Sequence, residues 1–302
     1  MARIASLLLA SAAAVAAPAA AHALTLTDAA YSSVSLGVYG GGSAFGGGVA
    51  AADGTLYVTT GYGDGVLVHD GAFSPLASLS DTALGAALIG STLYVGTDTG
   101  VQTVDVTTGA VGELSATGVV NGVTGAGGSL VSVNADGEAY WHDLGTGMLL
   151  SSVNLGQGAL SAVATGLGGD LFALAHNAGQ LLRFDESGVL EAWALGAVYS
   201  YDGLAINPVD GTIYLAGGTG LSTYDVATST RTQIGTFDFN GGYYPTPMFV
   251  SPDGATLYLG EQGDSYELHA IATGVSAVPL PAPLALLAAG IGALGLAGRR
   301  RG

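Results

Sequence analysis

Apolar and polar residues alternate along short stretches of this chain, and the clearest of these stretches directly follow a turn dipeptide. The best example is Asp210-Gly211 followed by Thr212-Ile213-Tyr214-Leu215, and related stretches occur at 53–58 and 253–259. Alternation with a period of two is typical of a half-buried β-strand. Asp-Gly is typical of the tight turn between two antiparallel strands. The pattern therefore predicts an all-β chain of short antiparallel strands.

This stretch is one part of a longer repeat. The fifth copy is the most complete, with predicted strands at 203–207, 212–216, 221–226 and 231–237. Four short strands in about 40 residues are typical of one blade of a β-propeller, and stacked blades bury the sheet faces that a single blade leaves exposed. The sequence predicts a six-bladed β-propeller. The anchor positions that mark its six second strands are Leu56, Leu93, Leu130, Leu171, Ile213 and Leu257.

The sixth copy has no fourth strand of its own. Residues 31–39 alternate with the strand period but belong to no copy, and Ser35–Tyr39 resembles the fourth strand of the fourth copy, Ala192–Gly196. We therefore predict that this N-terminal strand completes the last blade and closes the ring, which hides the sheet edges. The alternative is a seven-bladed propeller in which residues 24–48 are a remnant blade.

Composition supports one large domain. The chain has 302 residues, of which 49% are hydrophobic and only 10% are charged, and it contains 51 glycines. That is enough apolar material for a single β domain, and the glycines stand beside the strands as turn residues do. The absence of cysteine excludes disulfides, thiolate metal sites and a cysteine nucleophile.

The charge is strongly negative, with a formal net charge of −17. Four of the six cationic residues lie in the terminal segments. The body between these segments therefore contains 23 acidic residues and only two cationic residues, Arg183 and Arg231. Nucleic acid and anionic lipid surfaces need cationic contacts, so both are excluded as partners of the body. One explanation of this negative charge is that it keeps the protein soluble in a saline environment outside the cell. The alternative explanation is a binding site for divalent cations.

The N-terminus has the form of a secretory signal peptide. A basic start that includes Arg3 precedes an apolar stretch, 4–20, and a small-x-small cleavage motif formed by Ala21 and Ala23. Pro18 interrupts the apolar stretch, which disfavours the alternative of an N-terminal membrane anchor. The predicted division of the chain is a signal peptide at 1–23, a β-propeller at 24–277 and a C-terminal segment at 278–302.

The C-terminal segment has three parts. A Val-Pro-Leu-Pro-Ala motif comes first, an apolar stretch follows, and an arginine cluster ends the chain. Residues 278–297 are long enough to cross a bilayer as a helix, with the cationic end in the cytoplasm. The residues that carry this pattern are Val278, Pro279, Leu280, Pro281, Ala282, Arg299, Arg300 and Arg301.

This segment resembles the VPLPA-CTERM sorting signal, a variant of the PEP-CTERM tail of Gram-negative bacteria. The resemblance implies that an exosortase-type membrane enzyme is a partner and cleaves near the motif. It also implies an exported protein that is anchored in the membrane before processing and then reaches the cell surface or the extracellular matrix. A plain membrane anchor is the alternative.

The turns of the body carry a second resemblance. Ser251-Pro252-Asp253-Gly254 and the similar stretch 207–211 resemble the repeats of exported propellers of the YVTN and gluconolactonase-like groups. The lactonases of that shape hold a metal with Glu, Asn and Asp on the innermost strands. In this chain the innermost strands contain mainly Gly, Ala, Val and Leu, and their main polar residues are Asn121 and Asn207. Because this differs from the lactonase pattern, we predict no catalytic residues.

Candidate binding residues come from the loops that a propeller gathers on one face, which link the blades and join second to third strands. Tyrosine rings stack on sugar faces, and carboxylates suit Ca²⁺. The chain has no dense Asp-x-Asp-x-Asp-Gly loop, so no cofactor is predicted and the calcium signal is weak. Asp and Asn are also ordinary turn residues. The candidate ligand-binding residues are Tyr62, His176, Tyr201, Asp202, Tyr243, Tyr244 and Glu261.

Other catalytic signatures are missing from the sequence. There is no Gly-x-Ser-x-Gly motif, no histidine pair with a zinc spacing, and no lysine after the glycine runs. His69, His142 and His269 fall in the third strands of separate blades, so they are not expected to form one cluster.

Three functions fit these observations. The first is a non-enzymatic binding module for polysaccharide or a surface protein. The second is a metal-dependent hydrolase or lactonase that uses the propeller axis, and the third is a structural matrix protein. Acidic residues converging at the axis would favour the enzyme, whereas an open face lined by tyrosines would favour binding.

Overall fold

The computed structural model describes the body of the chain in nine segments. They are residues 24–39, 44–61, 65–115, 118–176, 178–196, 203–217, 220–237, 247–262 and 266–275. These segments begin with two strands, β1 (Thr25–Leu26) and β2 (Ser32–Tyr39), which precede the repeats. The predicted signal peptide with its cleavage residues Ala21 and Ala23 and the predicted sorting segment 278–302 lie outside the described residues.

The first three blades are antiparallel four-stranded sheets that follow one another in the sequence. Blade 1 contains β3 (Phe45–Ala50), β4 (Leu56–Thr60), β5 (Val66–His69) and β6 (Phe73–Ala77). Blade 2 contains β7 (Ala83–Ile89), β8 (Thr92–Thr97), β9 (Val101–Asp105) and β10 (Val111–Ser115). Blade 3 contains β11 (Val120–Ala126), β12 (Ser129–Asn134), β13 (Glu138–Asp143) and β14 (Leu149–Asn154).

The remaining three blades differ in how they are completed. Blade 4 contains β15 (Leu160–Thr165), a short 3₁₀ turn (Leu167–Gly169), β16 (Leu171–Ala175), β17 (Gln180–Asp185) and β18 (Gly188–Ala194). Blade 5 contains β19 (Gly203–Ile206), β20 (Ile213–Gly217), β21 (Gly220–Asp225) and β22 (Thr230–Thr236). In the described segments, the sixth repeat supplies three strands to blade 6: β23 (Met248–Val250), β24 (Thr256–Gln262) and β25 (Tyr266–Ala272).

The fourth strand of blade 6 is β2 from the N-terminus. It pairs antiparallel with β25, from Ser32 opposite Ala272 to Tyr39 opposite Tyr266, with an irregularity between Ser35 and Gly37. The structure is thus an all-β, six-bladed propeller closed by an N-terminal strand. The prediction of closure is confirmed, and the seven-bladed alternative is wrong.

The two-residue strand β1 adds a contact that the sequence pattern did not predict. Thr25 pairs with Thr236 and Leu26 with Gly235, so β1 is a fifth strand at the outer edge of blade 5. Leu24, immediately before it, is buried among residues of blades 5 and 6. The N-terminal segment therefore holds two neighbouring blades together before it closes the ring.

The hydrophobic core is divided among the spaces between neighbouring blades. One cluster joins Phe172 and Leu174 of blade 4 to Leu204 and Leu215 of blade 5. Trp141 also packs between blades: it meets Phe184 of the next blade edge-on, with ring centroids 6.0 Å apart. Every blade therefore depends on the presence of its neighbours for burial of its faces.

Among the described residues, no helix has the length and apolarity needed to cross a membrane.

Candidate functional site

The strand directions place two kinds of connection on the same rim of the propeller. In blade 1, Phe45 at the start of the first strand pairs with Thr60 at the end of the second. Val66 at the start of the third strand pairs with Ala77 at the end of the fourth. We call this end of the blades the linking rim, because the chain leaves from it towards the next blade. The opposite end, with the other two turns of each blade, is the turn rim.

Two of the predicted binding residues lie in the described part of the chain. His176 follows β16 at the linking rim, where its backbone N–H donates a 2.9 Å hydrogen bond to the carbonyl oxygen of Ala159. Glu261 lies inside strand β24 and is only 2% exposed, so its predicted position in an open loop is wrong. The other five, Tyr62, Tyr201, Asp202, Tyr243 and Tyr244, lie outside the described residues.

The axis is lined by the first strands of all six blades. Glycines allow these strands to approach closely: a Cβ atom placed on Gly85 would lie 2.9 Å from the Cα atom of Gly122. Asn121 turns its amide to the next blade and donates a 2.6 Å hydrogen bond to the Leu160 carbonyl oxygen. The described residues around this channel include Ser161 and Asn121 but no acid, base or histidine.

Asn207 does not line the axis, although the sequence placed it on an innermost strand. It follows β19 near the turn rim and is fully buried. Its amide donates a 2.9 Å hydrogen bond to the carbonyl oxygen of Gly254 in blade 6, and its side-chain oxygen accepts one from the backbone N–H of Val209. Asn207 therefore joins two blades and shapes a turn.

Aspartates at the turn rim are engaged in their own turns. The Asp105 carboxylate accepts hydrogen bonds from the backbone N–H groups of Thr107 and Thr108 and from the Thr108 hydroxyl, at 2.8 to 3.0 Å. The bonds from Thr108 are the main cause that lowers the pKa of Asp105. Asp143 and Asp225 make similar turns with Thr146 and Thr228. These acidic residues are therefore turn formers.

A buried polar cluster lies near the linking rim in blade 6. Glu261, Glu267 and His269 are 2%, 9% and 5% exposed. Their candidate ligand atoms all lie within 4.8 Å of one another, and Nε2 of His269 is 2.9 Å from a carboxylate oxygen of Glu261. Glu261 and Glu267 are directly paired across β24 and β25. The cluster combines two carboxylates and an imidazole, a donor set that suits a first-row divalent cation.

The cluster belongs to the face of blade 6 that packs against blade 5. Side chains alternate between the two faces of a strand, so Glu261 shares a face with Leu259, and His269 shares one with Ile271. Leu259 and Ile271 are buried in a cluster with Tyr214 and Leu221 of blade 5. The polar residues therefore continue an interface that is otherwise apolar.

The repeat shows that Glu261 is unusual at its position. The same position of the repeat, four residues after the Leu or Ile that marks each second strand, holds Thr60, Thr97, Asn134, Ala175, Gly217 and Glu261. Thr60 and Thr97 use their hydroxyls to close the turn that follows them, by donating to the carbonyl oxygens of Gly65 and Gly100. Only Glu261 places a carboxylate there.

The sequence contained a signal for this cluster, but strand register was needed to interpret it. Glu267 and His269 are two residues apart, so they share one face of a strand. Glu261 occupies a repeat position that holds small or neutral side chains in the other blades. The described histidines form no cluster with one another, as predicted. The sequence did not predict that His269 would instead have a carboxylate partner, Glu261.

Comparison with known proteins identifies the fold and no family. No protein-family model and no curated protein matches the chain. A structure of streptogramin B lyase is similar with a TM-score of 0.59 at 8% identity, over 80% of this chain and 97% of that chain. A chain from a mitotic checkpoint complex is similar with a TM-score of 0.58 at 14% identity, over 89% of this chain and 98% of that chain. At such identities the likeness establishes the β-propeller alone.

Proposed function

We propose that this protein is an exported, non-enzymatic binding module that presents the linking rim of its propeller to a polysaccharide. The observation that carries the proposal is the composition of the axis. The described channel residues are glycines and apolar residues with Asn121 and Ser161, and they include no carboxylate or imidazole that could act as a general acid or general base. The described strands on either side of the predicted tyrosines end at the linking rim, and we propose this rim as the binding surface.

The sequence supports a secreted location for this module. We propose that the segment 1–23 directs export from a Gram-negative bacterium and that the segment 278–302 holds the chain in the membrane until an exosortase-type enzyme processes it. The body would then remain at the cell surface or in the extracellular matrix. A large excess of acidic residues over Arg183 and Arg231 suits a soluble domain in that exterior.

The binding surface is tested by substitution on both rims. The full-length chain is titrated with the polysaccharide secreted by the producing bacterium, and the double variant Tyr243→Ala, Tyr244→Ala is expected to lose at least tenfold in affinity. Aromatic stacking against a sugar accounts for this loss, since aromatic contacts contribute about 0.5–1.5 kcal/mol each beyond the area they bury. Leu167→Ala removes an exposed apolar side chain from the turn rim and is the matched control.

Three outcomes distinguish the candidate functions. Loss of binding in the tyrosine variant alone supports the proposal. Equal affinity in the wild type and both variants contradicts the proposed surface. Absence of polysaccharide binding, with capture of a single surface protein that depends on the same tyrosines, replaces the polysaccharide with a protein partner.

A further inference from the structure

We propose that Glu261, Glu267 and His269 form a binding site for one divalent transition-metal ion at the interface of blades 5 and 6. This site is separate from the predicted tyrosine surface and from the axis. The proposal goes beyond polysaccharide binding, because it assigns a metal to a chain whose sequence predicted no cofactor. The cation would bridge the second and third strands of the blade that the N-terminus completes.

Glu267 is the observation that points to a ligand. The residue as a whole is 9% exposed, and its carboxylate forms no hydrogen bond or ion pair with another described residue. One of its oxygens lies within 4.8 Å of the ligand atoms of both other residues. A buried carboxylate without a partner is costly, and buried charges in proteins are paired or bind a metal. A cation between the three side chains would supply the missing partner.

Charge balance supports the same conclusion. Glu261 and Glu267 face each other directly across two strands, and like charges in that position repel. Arg183 and Arg231, the two arginines in the described segments, interact elsewhere: Arg183 lies 3.4 Å from Glu191, and Arg231 donates to the Ser222 hydroxyl at 2.7 Å. A divalent cation would balance both carboxylates.

Blade 3 provides an internal comparison. Its residues Asn134, Glu138 and Tyr140 occupy the repeat positions of Glu261, Glu267 and His269. There the Tyr140 hydroxyl donates to the Glu138 carboxylate, and the Asn134 amide lies 3.3 Å from the Tyr140 hydroxyl. Burial and the nearby Glu138 raise the pKa of Tyr140 to about 12. In blade 3, neutral donors therefore satisfy the single carboxylate, Glu138, and no cation is needed. Blade 6 instead has a second carboxylate, Glu261, in place of Asn134 and an imidazole, His269, in place of Tyr140.

The donor set selects the class of cation. Imidazole and carboxylate together suit Zn²⁺ and other first-row divalent ions, whose ligand atoms lie about 2.0–2.2 Å from the metal. Ca²⁺ prefers about six to eight oxygen ligands and is disfavoured by the imidazole. The three ligand atoms can enclose one ion after small side-chain rotations, since they are already within 4.8 Å of one another. We therefore choose Zn²⁺ as the probe.

The site would couple the metal to closure of the ring. Ser35 and Val38 of β2 pair with His269 and Glu267, so the third strand of the blade carries two of the ligands and also the N-terminal strand. A cation that fixes β25 would therefore stabilise the blade in which β25, the last described strand, pairs with β2. Binding to the folded state alone raises the melting temperature in proportion to the logarithm of the free metal concentration.

The test measures zinc binding by the full-length chain and two matched variants. Native mass spectrometry and calorimetric titration of the wild type are expected to show one Zn²⁺ per chain and a rise in melting temperature. Glu267→Gln is expected to lower the affinity at least tenfold and to abolish the rise. Glu138→Gln changes the corresponding glutamate of blade 3 and should leave zinc binding unchanged. No bound zinc, or equal loss in both variants, would overturn the proposal.

A second measurement does not depend on the stability of the variants. X-ray absorption of the zinc-loaded wild type is expected to show one imidazole among oxygen ligands. An all-oxygen shell would place the ion at a surface carboxylate group and overturn the assignment to His269. Calcium that competes with zinc at equal concentration would also contradict the donor set.

Discussion

Ser35 of β2 lies opposite His269 of β25, so the first long strand of the chain is a neighbour of the last one. This pairing supplies blade 6 with its outer strand and covers the edge of β25. It also brings the N-terminal segment next to a residue of the buried polar cluster. Closure of the ring and the interior of blade 6 are therefore parts of one local structure.

Removal of the closing strand tests this relationship. Deletion of residues 24–39 should lower the melting temperature by at least about 10 °C, because it exposes β25 and removes several kcal/mol of packing. Deletion of 24–30 removes β1 but keeps β2, and it should cost clearly less. Calorimetric unfolding gives both values, and an unchanged melting curve in the longer deletion would refute closure by this strand.

The close contact of the innermost strands leads to a second prediction, which concerns the stability of the propeller. Gly85→Ala should destabilise the propeller by about 1–3 kcal/mol, since its Cβ would meet the backbone of Gly122 at 2.9 Å. Gly145→Ala is the control, because the nearest atom to its Cβ is a side-chain oxygen of Asp143 at 3.5 Å. Urea unfolding measures both. Equal stability of the two variants would show that the axis has room for side chains.

The buried imidazole of His142 predicts a pH dependence. His142 is 1% exposed, and burial lowers its pKa below the usual value of 6.5. The unfolded chain therefore takes up a proton at a higher pH than the folded chain, and stability is lost as the pH falls below 6.5. We expect His142→Phe to lose less unfolding free energy than the wild type over this interval. An identical pH profile for the variant would assign the loss to other groups.

The aspartate turns predict a separate transition at lower pH. Hydrogen bonds within the turn lower the pKa of Asp105 below 3.8, so its contribution to stability is complete above that pH and is lost as the pH falls through the lowered pKa. Asp105→Ala removes the acceptor of the turn and should lower the melting temperature at neutral pH. Asp105→Asn keeps a side-chain acceptor and should cost less. The opposite order of the two variants would contradict this account of the turn.

The sequence predicted the architecture because the repeat has a strong local signal. Asp-Gly turns with a positive φ at Gly54, Gly211 and Gly254 mark the start of three second strands, and the missing fourth strand of the sixth copy pointed to the N-terminus. The two-residue strand β1 was not predicted, because two residues carry no detectable period.

The candidate metal site was not predicted because it depends on tertiary register. Glu261 follows the repeated part of its strand and was therefore assigned to a loop, whereas β24 continues to Gln262. Its proximity to His269 arises from pairing between neighbouring strands, which fixes which side chains share a face. Neither feature produces a motif of fixed spacing.

Binding without turnover is the central claim of this account. The most direct measurement is a calorimetric titration of the full-length chain with the polysaccharide of the producing bacterium, followed by analysis of the chain length of the recovered polysaccharide. The account predicts a saturable heat of binding and a polysaccharide of unchanged length. Progressive shortening of the polysaccharide, or the absence of any saturable binding, would contradict it.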